Sequence, residues 1–216
     1  MTLRTKAWLA LEFLILFIAT PLFLVMGKPG IPPIPLLWMV AVYCLIMLRR
    51  DASFDRSELW NSRPLPSQLT SIFLLFAIGV VVIGALVYEF APALLFSFVR
   101  AHPVVWAFVM LLYPLLSVYP QGIIYRAFVL HRYRDFFAAM PQKKWALILL
   151  SALAFSLMHT VFRNAVAVVL TFAGGVLFAR RHLETRSLLV SSFEHALYGC
   201  FVFTIGLGQF FYARFV

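Results

Sequence analysis

Seven long apolar segments, separated by short polar or proline-containing stretches, dominate the pattern of this chain. A bilayer core is about 30 Å thick, so a helix needs roughly 20 mostly apolar residues to cross it. The segments are 7–26, 35–48, 71–90, 104–130, 145–162, 165–179 and 187–212. The pattern predicts an all-α protein, a polytopic transmembrane helical bundle of about seven spans that forms a single integral membrane domain over residues 1–216.

Polar residues interrupt three of these segments. Gln121, Gly122 and Arg126 lie in the fourth, His159 in the fifth and His195 in the seventh. With about 1.5 Å of rise per residue, Gln121, Gly122 and His195 lie roughly 12–14 Å from the basic ends of their spans, and His159 about 21 Å. One membrane histidine can be a structural hydrogen-bonding group, but several polar groups at similar depth indicate a functional site.

The basic residues predict the orientation of the bundle. Thirteen of the 18 Lys and Arg residues fall in the N-terminal stretch and in the 49–68, 131–144 and 180–186 segments, which alternate along the chain. Short cytoplasmic loops carry an excess of Lys and Arg. We therefore expect the N-terminus on the cytoplasmic side, and an uncleaved first span because no small-residue cleavage site follows it.

Composition and charge exclude several classes of protein. The chain is 63% hydrophobic and 12% charged, with a mean hydropathy of +0.95, which is far from the composition of a soluble domain. The net charge of +10 comes mainly from the loops between spans, so nucleic acid is not an expected partner. Cys44 and Cys200 both lie in apolar segments, and we interpret them as small buried residues, not a disulfide pair.

Three short motifs resemble those of the CPBP family of intramembrane proteases, which includes the CAAX prenyl proteases. The family motifs are Glu-Glu-x-x-x-Arg, Phe-x-x-x-His and His-x-x-x-Asn/Asp, on separate helices in that order. The first appears as Gln121-Gly122-x-x-x-Arg126, without either glutamate. The second is complete in Phe155 and His159, whereas the third has His195 followed by Gly199. The resemblance covers about residues 104–205.

The resemblance implies a membrane-embedded endopeptidase that hydrolyses a peptide bond, with His159, His195 and Arg126 as base, oxyanion donor and electrostatic anchor. Gln121 and Gly122 occupy the positions of the catalytic glutamates, and Glu194 is a candidate substitute carboxylate. Phe155, Gly199 and Glu194 would support the site. Metal-assisted hydrolysis is possible in the family, but two histidines make a poor zinc site, so no cofactor is expected.

Three functions remain open at this stage. The first is an active endopeptidase of a hydrophobic or lipidated peptide. The second is a catalytically silent relative that acts in binding, scaffolding or immunity through a peptide or a membrane-protein partner. The third, a transporter relaying ions through Glu12, Glu89 and the histidines, is the least supported because the acids lie near the ends of their spans. The family resemblance favours a bacterial cytoplasmic (inner) membrane.

Overall fold

The fold is a bundle of long apolar helices. A computed structural model describes residues 3–27 and 32–211. The stretch 28–33, whose glycine and prolines predict a tight turn, lies mostly outside these residues. Within them, seven helices are long and apolar enough to cross a membrane, which confirms the expected architecture. We number them spans 1 to 7: Arg4–Met26, Pro33–Arg50, Leu65–Phe90, Pro103–Arg132, Lys143–Phe162, Ala165–Thr185 and Leu188–Ile205.

Local sequence signals set the ends of several spans. Pro33 and Pro103 occupy the first helical position, where the missing N–H has no partner to lose. The Asn164 and Ser187 side chains cap spans 6 and 7 by accepting backbone N–H groups at 2.8 and 3.1 Å. Span 7 ends at Gly206, whose φ of 110° lies in the left-handed region that glycine tolerates. A short 3₁₀ helix, Leu207–Phe211, follows.

Span 6 is longer than its apolar segment. The predicted basic loop at 180–186 is wrong in its first part, because the helix continues to Thr185. A charged side chain in this extension of the helix is paired with a residue of opposite charge. Arg181 donates to both carboxylate oxygens of Glu194 in span 7, at 2.9 and 3.0 Å. The same guanidinium donates to Gln68 and Ser71 of span 3, so one buried ion pair connects three spans.

Small residues bring spans 5 and 6 together. A Cβ atom on Gly175 would lie 2.8 Å from the Cα of Ala152 in span 5, so the two backbones approach closely because Gly175 has no side chain. The neighbouring residues Gly174 and Gly175 form a small-residue pair of the kind that permits such a close helix approach. The packing fixes the position of Phe155 on span 5 relative to Phe178 on span 6, and both rings border the cavity described below.

The segment between spans 2 and 3 folds back onto the bundle. A 3₁₀ helix, Arg56–Leu59, lies within this segment. Its buried Glu58 lies 3.5 Å from His182 and also pairs with Arg186. Nearby, Asp51 accepts from Ser53 and contacts His131, and these hydrogen bonds hold the pKa of Asp51 well below its usual range.

Removing the Arg181 charge is expected to destabilise the bundle. Arg181→Met leaves the fully buried Glu194 carboxylate unpaired, so the free energy of unfolding should fall by about 3–5 kcal/mol. The measurement is a denaturant titration in detergent micelles.

Arg180→Met is the matched control. Its ion pair with Glu184 is exposed, so the loss should be below about 0.5 kcal/mol. Equal losses in the two variants would contradict the assigned role of the Arg181–Glu194 pair.

Candidate functional site

A cavity of about 770 Å³ lies inside the bundle. Its lining is mostly apolar, and one wall carries the polar side chains Ser117, Gln121, His159 and His195. The lining residues of spans 3 and 5 lie toward the ends that connect through residues 91–102 and 163–164, whereas those of span 4 run from Val105 to Tyr125 and those of span 6 are central. The cavity therefore reaches from the side of the bundle away from the basic connections to about the middle of spans 4 and 6.

Span 4 reaches the cavity through two wide turns. The segments Pro114–Val118 and Ile123–Phe128 are π-helical, with a short α-helical segment, Tyr119–Gly122, between them. Proline lacks the N–H that an α-helical turn requires, and the first π segment begins at Pro114. Such widened turns recur at functional sites, and the second one carries Arg126, with all six of its residues buried.

His159 is held in one tautomer by its own helix. Its Nδ1 lies 2.7 Å from the carbonyl oxygen of Phe155, which can only accept a hydrogen bond. Nδ1 therefore carries the proton, and Nε2 of the neutral ring keeps its lone pair. Because His159 lines the cavity, this ring is oriented as a base would have to be.

His195 is positioned by aromatic side chains. Its ring stacks on Phe178 with centroids 4.6 Å apart and an interplanar angle of 25°. Nε2 lies 3.5 Å from the Tyr113 hydroxyl, whereas the buried Nδ1 has no hydrogen-bond partner among the described residues. The ring therefore offers a polar atom without a protein partner beside the cavity.

Arg126 lies behind the aromatic wall of the cavity. Only 1% of the residue is exposed, and its guanidinium carbon lies 4.5 Å from the Phe155 ring centroid and 5.1 Å from that of Phe178. Neither Nη1 nor Nη2 has a hydrogen-bond partner in the described part of the chain. The Phe155 ring also contacts both imidazoles, with centroids 4.5 and 5.5 Å away. The structure thus brings Arg126, His159 and His195 together around Phe155.

Neither residue at the glutamate positions supplies a carboxylate. Gln121 lines the cavity and donates from Nε2 to Ser117 at 2.8 Å, while its buried Oε1 has no partner among the residues described. Gly122 is directed at span 7. A Cβ atom there would lie 2.9 Å from both Leu188 Cδ1 and Ser192 Oγ, so a glutamate could enter only if these side chains moved.

Tyr113 occupies the space beside Gly199. A Cβ atom on Gly199 would overlap the Tyr113 ring and hydroxyl, so an Asn or Asp at position 199 cannot coexist with Tyr113 in this position. The Tyr113 hydroxyl instead takes a place next to His195. The motif spacing drew attention to Gly199 but gave no signal for Tyr113 or Phe178, because both belong to other spans and read as ordinary apolar residues.

The carboxylates of the chain lie elsewhere. All eight Asp and Glu side chains belong to the described residues, and none lines the cavity. Glu194 is turned toward Arg181, and Glu12 pairs with Arg132 at 3.0 Å. Two histidines without a carboxylate or a thiolate do not fit a catalytic zinc site. Within the described residues no group of three His, Cys, Asp or Glu side chains could hold a metal ion.

Part of the chain matches the model of a known protein family. Residues 102–201 match the family model described as type II CAAX prenyl endopeptidase Rce1-like. The match includes Gln121, Arg126, His159, His195 and Gly199, and it confirms the resemblance to the CPBP family. No curated protein and no solved structure matches the chain.

Filling the space at Gly199 should destabilise the bundle. Gly199→Ala forces a methyl group against Tyr113, and overpacking of this kind costs about 1–3 kcal/mol in free energy of unfolding. Combining it with Tyr113→Leu should recover most of that loss, since the ring that clashes is gone. Both are measured by denaturant titration in micelles.

Gly84→Ala provides the control for helix propensity. A Cβ atom at Gly84 would meet nothing within 4 Å, so this variant should be neutral or stabilised by up to about 1 kcal/mol. A Gly199→Ala variant as stable as Gly84→Ala would show that Tyr113 does not fill this space.

Proposed function

We propose that this integral membrane protein is a hydrolytically silent relative of the CAAX proteases, which holds a hydrophobic or lipidated ligand in its cavity without cleaving a peptide bond. One observation carries the proposal: none of the eight side-chain carboxylates lines the cavity. The family to which residues 102–201 belong supports a protease-like architecture. A bacterial cytoplasmic membrane is the location that we propose.

The chemistry of peptide hydrolysis explains why this loss matters. Water must lose a proton to a base as it attacks the carbonyl, and a general base contributes about 10²–10⁴-fold to the rate. The Gln121 amide cannot accept that proton, and Gly122 has neither a side chain nor the space for one. The cavity therefore lacks the carboxylate base that the family motif supplies.

The binding capacity of the cavity does not depend on those carboxylates. Ligand pockets commonly measure about 300–1,000 Å³ and combine an apolar lining with a few polar groups. A volume of about 770 Å³, with a polar wall at Gln121, His159 and His195, fits that description. We therefore assign the protein a binding role, with a hydrophobic or lipidated molecule as its ligand.

His159 gives an active endopeptidase some support as the second candidate. Its Nδ1–H donates to the Phe155 carbonyl, so Nε2 could take a proton from water at the cavity wall. The Tyr113 hydroxyl and His195 could then donate to the developing oxyanion. In such a reaction the proton on Nε2 would pass to the leaving amine.

Restoring a glutamate should separate the two candidates. Gly122→Glu combined with Leu188→Ala supplies a carboxylate and removes one of the two side chains that it would meet. We expect the wild type to release no product from hydrophobic or prenylated peptides, and the double variant to gain cleavage by about tenfold or more over background. Mass spectrometry of the peptide products is the measurement.

Two controls accompany this experiment. Leu188→Ala alone should remain inactive, and adding His159→Ala to the double variant should remove the gained activity. Cleavage by the wild type that His159→Ala abolishes would favour the active endopeptidase and overturn the silent assignment.

A further inference from the structure

Arg126 differs from two other buried or half-buried arginines in having no carboxylate partner among the described residues. Arg181 donates to Glu194 and Arg132 donates to Glu12. Arg126 is only 1% exposed, and its guanidinium group lies over the rings of Phe155 and Phe178. Its nitrogens Nη1 and Nη2 have no hydrogen-bond partner in the described chain. A buried charge is costly unless it is paired, and arginine does not deprotonate to avoid that cost.

The polar groups that line the cavity do not supply negative charge. His195 and Tyr113 border the cavity and carry N–H or O–H groups, and Gln121 is a neutral amide. His159 is also neutral or cationic, never anionic. The wall of the cavity is therefore electropositive, with hydrogen-bond donors next to the two rings that cover Arg126.

We propose that the cavity binds a fatty-acid-like long-chain carboxylate, whose head group lies against His195 and Tyr113 and balances the charge of Arg126. The proposal rests on the binding role assigned above and names the chemistry of the ligand. The carboxylate accepts hydrogen bonds from the Tyr113 hydroxyl and the His195 ring. Arg126 contributes through its charge across Phe155 and Phe178, at the short range where low dielectric strengthens electrostatic attraction.

The rest of the cavity suits an alkyl chain. Beyond the polar wall, apolar side chains from several spans continue the lining, among them Leu37, Phe108, Leu112, Val202 and Phe203. Burial of apolar chain against this surface is favourable and non-directional, so it holds the chain without selecting its length closely. Selectivity then resides at the head group, where a carboxylate and a neutral amide of the same shape differ in charge.

A matched pair of ligands tests this inference. Palmitic acid and palmitamide share the same chain, and each can be titrated calorimetrically into the full-length protein in nanodiscs of neutral lipid. The wild type should bind the acid at least about tenfold more tightly than the amide, because charge complementarity favours the anion. Arg126→Gln should bind the two ligands within about twofold of each other, and Arg180→Gln should behave as the wild type.

Two further variants test the same inference if Arg126→Gln does not fold. Tyr113→Phe should weaken binding of the acid by about three- to tenfold and leave the amide less affected, since it removes one donor. Gly122→Glu with Leu188→Ala keeps Arg126 but introduces an internal anion, so the preference for the acid should disappear.

Several outcomes would overturn the inference. They are equal binding of acid and amide to the wild type, binding of neither, and a preference that persists in Arg126→Gln with normal unfolding. Peptide cleavage by the wild type would instead contradict the proposed function. The acid preference is measured independently of cleavage, so the two failures are distinguishable.

Discussion

Balancing charge in a low-dielectric interior is the constraint on which this structure depends. The helices can cross the membrane because their backbone groups bond within each helix, and the charges that remain inside must find partners. Arg181 and Glu194 do so at a junction of three spans, and Glu12 with Arg132 does so between spans 1 and 4. The same constraint makes Arg126 informative, because it carries a charge into the site without a carboxylate to match it.

The polar groups of the candidate site lie around one cavity, although the glutamates of the family motif are absent. The widened turns of span 4, the Phe155 and Phe178 rings beside Arg126 and the tautomer of His159 all contribute to it. Gly122 packs against Leu188 and Ser192, and Tyr113 fills the space beside Gly199. Side chains of neighbouring residues thus occupy the space next to Gly122 and Gly199, and we propose that the cavity binds a ligand without hydrolysing it.

Apolar segment length predicted most of the fold, since seven runs correspond to the seven spans. Segment length gave the wrong end for span 6. The apolar segment ends before the first arginine, but the helix continues to Thr185 because Arg181 is paired with Glu194 of span 7. Motif spacing similarly singled out Arg126, His159 and His195, which the structure brings together around Phe155. It could not find Tyr113 or Phe178, whose contribution depends on contacts between spans that no local pattern encodes.

The central claim is that the cavity does not activate water. The most direct measurement incubates the wild-type protein with hydrophobic and prenylated peptides in water labelled with heavy oxygen, followed by mass spectrometry of every carboxyl terminus. We predict no label above that seen with His159→Ala or with empty nanodiscs. Label that enters a new carboxyl terminus with the wild type and disappears with His159→Ala would contradict the claim.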